Sequence, residues 1–159
     1  MKEVPFFHGT FTLNRVWSAS PEKVFAAWSD PEVKARWFTG PEDRWTLLRR
    51  SMEFRVGGEE VLEGRFEESG LVTLYEARFH AIEPARRLVY AYDLHLSGRF
   101  HSVTLSSLEL GAEGTGTRLS YTEQIVFLDG KDGTDDRRHG TEFQFEMIEA
   151  TLGLTGAAQ

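Results

Sequence analysis

The chain has 159 residues, a formal net charge of −7 and no cysteine, which excludes disulfides, thiol nucleophiles and thiolate metal sites. The acidic balance argues against nucleic acid or an anionic membrane as a partner, since both need clustered Lys and Arg. No apolar run reaches a membrane-spanning length and no signal-peptide core begins the chain, so we expect a cytoplasmic protein with a single domain over residues 1–159.

The first predicted elements are a strand and two short helices. Residues 5–17 are aromatic and β-branched with partial alternation, which favours a strand. Ser20 followed by Pro21, and Asp30 followed by Pro31, each give the cap and first-turn signal that begins a helix. We expect the large aromatic residues of both helices to face an apolar interior while the charged residues between them face solvent.

Strands dominate the middle of the chain, from about residue 46 to residue 127. Gly57 and Gly58 separate the first two of them and predict a two-residue turn with positive φ at both positions. The later connections are also short, which is typical of neighbouring antiparallel strands. With the first strand, the pattern predicts about seven strands in a meander.

The last element is predicted to be one long helix. Residues 127–140 are polar and indicate a loop, and Thr141 with Gln144 three positions later forms a capping box. A wide apolar face follows, which favours deep burial against the sheet. One stripe of this face contains Phe143, Met147, Ala150 and Leu154, and the adjacent row contains Phe145, Ile148 and Leu152.

Together these elements predict an α+β fold in which a curved antiparallel sheet wraps around the long C-terminal helix. A single helix cannot cover the whole concave face of so large a sheet. The two short helices, which carry Trp28, Trp37 and Phe38, are placed to close one end of the gap. This arrangement predicts an internal cavity.

Five segments in this order resemble a known family. They are "SASPEKVFAAWSDPEVKARWF", "FRVGGE", "AIEPARRLVYAY", "GTGTRLSYTE" and "FLDGKDGTDDRRHG", within about residues 10–155. The chain resembles the START-like or SRPBCC superfamily, whose fold is called helix-grip. Within it, the chain is most similar to the family named for the C-terminal domain of the activator of the heat-shock-protein-90 ATPase. Members include bacterial proteins of unknown role, ligand carriers, polyketide cyclases and co-chaperones, so the resemblance implies the fold and leaves the function to the site.

Glu123 is the most informative polar residue of the last strand. Leu119, Tyr121, Glu123, Ile125 and Phe127 alternate along one face, so the Glu123 carboxylate is expected to point inward among aromatic residues. A buried carboxylate must be paired, hydrogen-bonded or protonated. In a functional role, Glu123 orients a ligand or acts as an acid or base. In a purely structural role, it forms an ion pair with an Arg, or a bulge turns it outward.

The five histidines do not predict a metal site. His95 and His101 bracket a hairpin turn, His80 lies on an adjacent strand, and His139 precedes the last helix. A metal site needs three convergent ligands, so surface histidines are favoured. For His139 the alternative to a surface position is that, together with Arg138, it gates or lines the cavity mouth.

The acidic loop and the glycine-rich turns do not match known ligand motifs. Asp129, Asp132, Asp135 and Asp136 lack the spacing of a calcium-binding EF-hand, so a turn-forming loop is favoured. The glycine pairs do not open a helix after a strand, which a phosphate-binding loop requires. We predict no cofactor and no metal.

The aromatic residues supply the predicted binding site, because rigid rings with polar tips orient a guest in a largely apolar pocket. The leading hypothesis is a soluble binding protein that holds a small hydrophobic or aromatic ligand between the sheet and the C-terminal helix. The predicted cavity residues are Trp28, Trp37, Phe38, Phe54, Tyr75, Phe79, Tyr92, Tyr121, Glu123, Phe143 and Met147.

Two alternatives come from other classes of function. A cyclase- or hydrolase-like enzyme would use Glu123 with a cavity Tyr or His as an acid/base pair. A co-chaperone-like module that stimulates a heat-shock ATPase is suggested by the family name alone. The predicted partner is a small lipophilic molecule, and we predict no nucleic-acid or membrane partner. The sequence leaves open whether the protein forms a homodimer.

The second short helix and the residues after it predict a lid. Gly40 and Pro41 redirect the chain directly after Trp37 and Phe38, and helices this short are not stable by themselves. We therefore expect residues 31–45 to cover one mouth of the cavity and to be more mobile than the sheet, so that a ligand can enter.

Overall fold

The computed structural model describes residues 3–154. The strands are β1 Phe7–Trp17, β2 Trp45–Met52, β3 Glu59–Phe66, β4 Val72–Glu83, β5 Arg87–Leu96, β6 Arg99–Glu113 and β7 Gly116–Phe127. The helices are α1 Pro21–Ser29, α2 Pro31–Trp37 and α3 Thr134–Thr151. All strand pairs are antiparallel, in the order β1-β7-β6-β5-β4-β3-β2. The predicted α+β helix-grip fold, a curved sheet around a long C-terminal helix, is confirmed.

The two short helices begin where the sequence places them. The Ser20 hydroxyl accepts a hydrogen bond from the Lys23 backbone N–H at 3.2 Å, and Pro21 follows as the first helical residue. The Asp30 carboxylate accepts from the Glu32 backbone N–H at 2.9 Å, so the residue that ends α1 also caps α2. These caps satisfy N–H groups that have no partner inside the helix.

The connection between β2 and β3 differs from the predicted two-residue turn. It spans residues 53–58, and only Gly57 has a positive φ, at 81°. Gly58 is needed for a different reason, because a Cβ at that position would lie 2.1 Å from the Glu53 carbonyl oxygen. Gly57 is therefore required by its backbone conformation, and Gly58 by the close approach of the Glu53 carbonyl oxygen.

Helix α3 starts earlier than predicted, with Gly133 as its N-cap in place of Thr141, eight residues further along the chain. The Asp132 carboxylate accepts from the Thr134 backbone N–H at 3.1 Å and from its hydroxyl at 2.6 Å, which fixes the chain just before the first turn. Asp135 and Asp136 then lie in the first turn, where negative charge stabilises a helix. Residues 134–140, the second half of the predicted loop, form the first two turns of this helix.

The buried face of α3 also differs from the predicted stripe. Phe145, Ile148 and Leu152 are buried against the sheet, whereas Phe143 is 61% exposed. The Phe145 ring lies 5.6 Å from that of Trp17 on β1, and the Trp17 indole donates to the Glu149 carboxylate at 2.9 Å. These contacts fix the rotation of the helix and turn Phe143 towards solvent. Within residues 3–154, no helix has the length and apolar character needed to cross a membrane.

Candidate ligand cavity

A cavity of about 550 Å³ lies between the sheet and helices α2 and α3. Its sheet side carries four tyrosines, Tyr75 on β4, Tyr90 and Tyr92 on β5, and Tyr121 on β7. Trp28 of α1, Trp37 of α2 and Phe38, directly after α2, line it from the helical side. The volume falls within the range of about 300–1,000 Å³ that small-molecule sites occupy.

The aromatic side chains of the cavity form a continuous series of ring contacts. Phe38 meets Tyr75 edge-on with ring centroids 4.7 Å apart, and Tyr75 lies 4.7 Å from Tyr92. Trp28 and Trp37 are in edge contact at 5.7 Å. These separations are typical of favourable aromatic pairs, so the wall is both apolar and rigid.

Glu123 is at the centre of a buried polar cluster on the sheet side. The same carboxylate oxygen accepts two hydrogen bonds, one from the Tyr121 hydroxyl at 2.5 Å and one from the Tyr92 hydroxyl at 3.0 Å. Burial raises the pKa of Tyr92 and of Tyr121, and the neighbouring Glu123 carboxylate raises both further. Both phenols therefore stay protonated and act as donors. The inward orientation predicted from the β7 alternation is observed, with Glu123 2% exposed.

Arg137 supplies the positive charge of this cluster. Its guanidinium lies 3.4 Å from the second Glu123 oxygen and donates to the hydroxyls of Ser102 at 2.7 Å and Thr104 at 2.8 Å. Burial disfavours its charge, but Tyr92 and Glu123 outweigh that effect and raise the pKa of Arg137. Because α3 begins at Thr134, its first turn directs Arg137 towards β5, β6 and β7.

A second buried ion pair links α2 to strand β3. The Lys34 ammonium donates to the Glu60 carboxylate of β3 at 2.6 Å, and both side chains are about 95% buried, with exposures of 4% and 5%. The same ammonium lies over the Phe38 ring, 5.0 Å from its centroid. The expectation that the charged residues of α2 all face solvent is therefore wrong for Lys34. Its ammonium lies among the rings of Trp37, Phe38 and Tyr90 and is paired there with a carboxylate.

The mouth of the cavity is polar. Asp129, Lys131, Asp132 and Asp136 line it together with His101, whose Nε2 lies 3.5 Å from the Asp129 carboxylate. Burial lowers the pKa of His101, Asp129 opposes this shift, and Arg137 adds to it. His101 was expected at the surface, but it lies over Phe127 at a ring distance of 5.9 Å and faces the cavity.

The structure brings together seven of the eleven predicted cavity residues. Trp28, Trp37, Phe38, Tyr75, Tyr92, Tyr121 and Glu123 line the space. Phe79 belongs to the core, 1% exposed, and Phe54 packs on it at a ring distance of 4.9 Å. Met147 is partly buried against the core, and Phe143 faces solvent. These four residues lie away from the cavity.

Four further lining residues that matter for the chemistry were not predicted from the sequence, namely Lys34, Tyr90, His101 and Arg137. Tyr90 could have been found, because it lies two positions before Tyr92 and shares its face of β5. Arg138 and His139, the alternative mouth residues, are both exposed on α3. Within the described part of the chain, no group of three or more His, Asp or Glu side chains could hold a metal ion.

The arrangement can bind and orient a small molecule. The buried charges at the cavity wall belong to two ion pairs, Lys34–Glu60 and Arg137–Glu123, and three of the four phenols hydrogen-bond to one another or to Glu123. The remaining wall is mostly aromatic. Such a site gains affinity from apolar burial and specificity from a few polar groups.

Comparison with known proteins places the chain in a family. The model of the family described as "Activator of Hsp90 ATPase homolog 1-like protein" matches residues 18–153. No curated protein matches the sequence.

Solved structures give the same result. An uncharacterised protein from Rhizobium leguminosarum is 35% identical over 94% of this chain and 97% of its own, with a TM-score of 0.87. The Mll3558 protein of Rhizobium loti is 35% identical over 92% of this chain and 99% of its own, with a TM-score of 0.85. A protein of unknown function from Staphylococcus aureus, at 15% identity and a TM-score of 0.76 over 95% and 97% of the two chains, shares the fold. The chain belongs to the family of Activator of Hsp90 ATPase homolog 1-like proteins, which has the START-like helix-grip fold.

Proposed function

We propose that the protein binds a small hydrophobic or aromatic ligand in the cavity between the sheet and α3. The observation that carries this proposal is the space of about 550 Å³ with a continuous aromatic wall. Burial of apolar ligand area at roughly 25 cal/mol per Å² would drive binding. The few polar groups of the cavity wall would fix the orientation of the ligand.

An enzymatic function is the second candidate, because Glu123 and two tyrosines converge beside the open space. A cyclase- or hydrolase-like reaction would need one of these groups to exchange a proton with the substrate. Glu123 already accepts from Tyr92 and Tyr121 and is paired with Arg137. A substrate must displace one of these partners to reach the carboxylate, so we rank the binding function first.

The family description also names activation of the Hsp90 ATPase. As a proposal for this chain, it can be tested by adding the protein to an Hsp90 preparation and measuring ATP hydrolysis. An unchanged hydrolysis rate would contradict a co-chaperone function without affecting the cavity proposal.

The binding proposal is tested by native mass spectrometry and by calorimetry with a solvatochromic dye. Protein purified from its own host should carry a bound small molecule, or the dye should bind with one-to-one, displaceable stoichiometry. Leu94→Trp, which enlarges a lining residue, should weaken dye binding at least about tenfold by filling the space. Phe143→Trp adds the same ring on the exposed face of α3 and serves as the matched control. Absence of both a bound molecule and displaceable dye binding would refute the proposal.

A further inference from the structure

The four cavity tyrosines are not equivalent in their hydrogen bonding. The Tyr92 and Tyr121 hydroxyls donate to Glu123, and the Tyr90 hydroxyl lies 3.1 Å from that of Tyr121. The Tyr75 hydroxyl has no hydrogen-bond partner among residues 3–154, although the side chain is only 9% exposed. Its oxygen atom is not fully buried, so the hydroxyl is accessible from the cavity that Tyr75 lines. Tyr75 is therefore the phenol that is free to contact a ligand.

The Tyr75 hydroxyl and the nearby Lys34 ammonium can both donate hydrogen bonds. Burial raises the pKa of Tyr75, so its hydroxyl keeps the proton and can donate it. The Phe38 ring, 4.7 Å from Tyr75, is also covered by the Lys34 ammonium, which has three N–H groups and uses one for Glu60. The Lys34 ammonium can only donate, and the Tyr75 hydroxyl can also donate, so a hydrogen-bond acceptor is the ligand group that both can bind.

The charges of the site disfavour an anionic ligand. Lys34 is neutralised by Glu60, and Arg137 is neutralised by Glu123, so neither cation is left to pair with a carboxylate. The mouth carries three aspartates and one lysine, in a protein with a net charge of −7. An anion would have to pass a negative entrance and lose its hydration without a counter-charge.

We propose that the cavity selects a neutral aromatic molecule with a hydrogen-bond acceptor, such as an aryl ketone, and that the Tyr75 hydroxyl donates to this acceptor. The rings of Phe38 and Tyr92, each 4.7 Å from Tyr75, provide the flat apolar surface for the aromatic part. This inference rests on the proposed function and specifies the ligand class of the same site.

The test uses three probes of one size: 2-acetylnaphthalene, which carries an acceptor; 2-ethylnaphthalene, which does not; and anionic 2-naphthoate. Dissociation constants are measured by calorimetry for the unaltered protein, Tyr75→Phe and Tyr92→Phe. Tyr75→Phe should weaken 2-acetylnaphthalene binding roughly three- to tenfold relative to 2-ethylnaphthalene, because one hydrogen bond is lost. Tyr92→Phe should change both affinities by the same factor, since its hydroxyl is already used by Glu123. Naphthoate should bind more weakly than either neutral probe.

Three results would overturn the inference: an affinity ratio unchanged by Tyr75→Phe, naphthoate binding tighter than 2-acetylnaphthalene, or no binding of either neutral probe. The dye and native-mass experiments judge the proposed function separately, so that function can stand while this ligand class fails. If Tyr75→Phe does not fold, the infrared carbonyl band of 2-acetylnaphthalene bound to the unaltered protein decides. A band at the cyclohexane frequency would refute the hydrogen bond, and a lower frequency would support it.

Discussion

Replacing Arg137 with methionine keeps an unbranched apolar stem like that of arginine but leaves the Glu123 carboxylate without its cation. The two side chains are 13% and 3% exposed, so water can compensate for little of the lost charge. Removing one partner of a buried pair typically costs about 3–5 kcal/mol. We expect a loss of about 3 kcal/mol, at the lower end, because Glu123 keeps the hydroxyl donors of Tyr92 and Tyr121.

Urea unfolding followed by tryptophan fluorescence measures this loss. Trp17, Trp28 and Trp37 are nearly fully buried, so their emission reports on the core. With a slope of about 2 kcal/mol per molar urea, a loss of about 3 kcal/mol lowers the midpoint by about 1.5 M. Arg138→Met is the matched control, because this neighbouring residue is exposed and forms only a 3.7 Å surface pair with Glu142. Its effect should stay within about 0.5 kcal/mol.

A double-variant cycle separates the ion pair from the other contacts of Arg137. Glu123→Gln makes the buried partner neutral, so adding Arg137→Met to it should cost at least about 1 kcal/mol less than in the unaltered background. Equal midpoints for the Arg137 and Arg138 variants, or strict additivity in the cycle, would refute the conclusion that this pair is buried and coupled.

Other parts of the structure give four further expected outcomes. Lys34→Met should destabilise the protein by about 3–5 kcal/mol by leaving Glu60 buried and unpaired, and adding Glu60→Gln should recover part of this loss in the same urea assay. Trp37→Ala should cost about 3–5 kcal/mol, because the ring is 4% exposed and its N–H donates to the Ala27 carbonyl, whereas Phe143→Ala on the exposed face should cost less than about 1 kcal/mol. Burial raises the pKa of Tyr75, Tyr92 and Tyr121 above the ordinary value of 10.0, so the folded state holds these protons more tightly than the unfolded state does. The free energy of unfolding should therefore fall as the pH rises above about 10. An increase in phenolate absorbance before unfolding would contradict this expectation. Amide exchange should be faster in residues 31–45, the predicted lid, than in β5–β7, and protection of this segment equal to that of these strands would rule out a mobile lid.

The fold could be predicted because its signals are local. Ser20-Pro21 and Asp30-Pro31 begin helices through contacts within three residues, and each strand carries its own alternation. The start of α3 could not be predicted in this way. Its first two turns are charged and contain Gly140, and they are held by the contacts that Arg137 makes with β6 and β7.

The cavity was predicted only in part, for a related reason. The period-two pattern of β7 placed Glu123 inside, but no pattern in the sequence identifies its partner on a later helix. Lys34 is a similar case, because it has the spacing of a solvent-facing helical residue and becomes buried only through Glu60, 26 positions away. Tertiary ion pairs leave no periodic signal, so the two cations of the site, Lys34 and Arg137, were not predicted.

The same polar contacts explain why the space between the sheet and the helices remains open. A void lined by large side chains would normally be filled by them, because close packing recovers dispersion energy. Here several of the largest lining groups are tied to the wall or to an adjacent element. Trp37 is held by the Ala27 carbonyl, Lys34 by Glu60, and Tyr92 and Tyr121 by Glu123. Moving any of these side chains into the cavity would leave a buried donor or charge without a partner, at a cost of at least about 1–3 kcal/mol for each group. These polar contacts therefore hold the lining side chains in place and keep the cavity open.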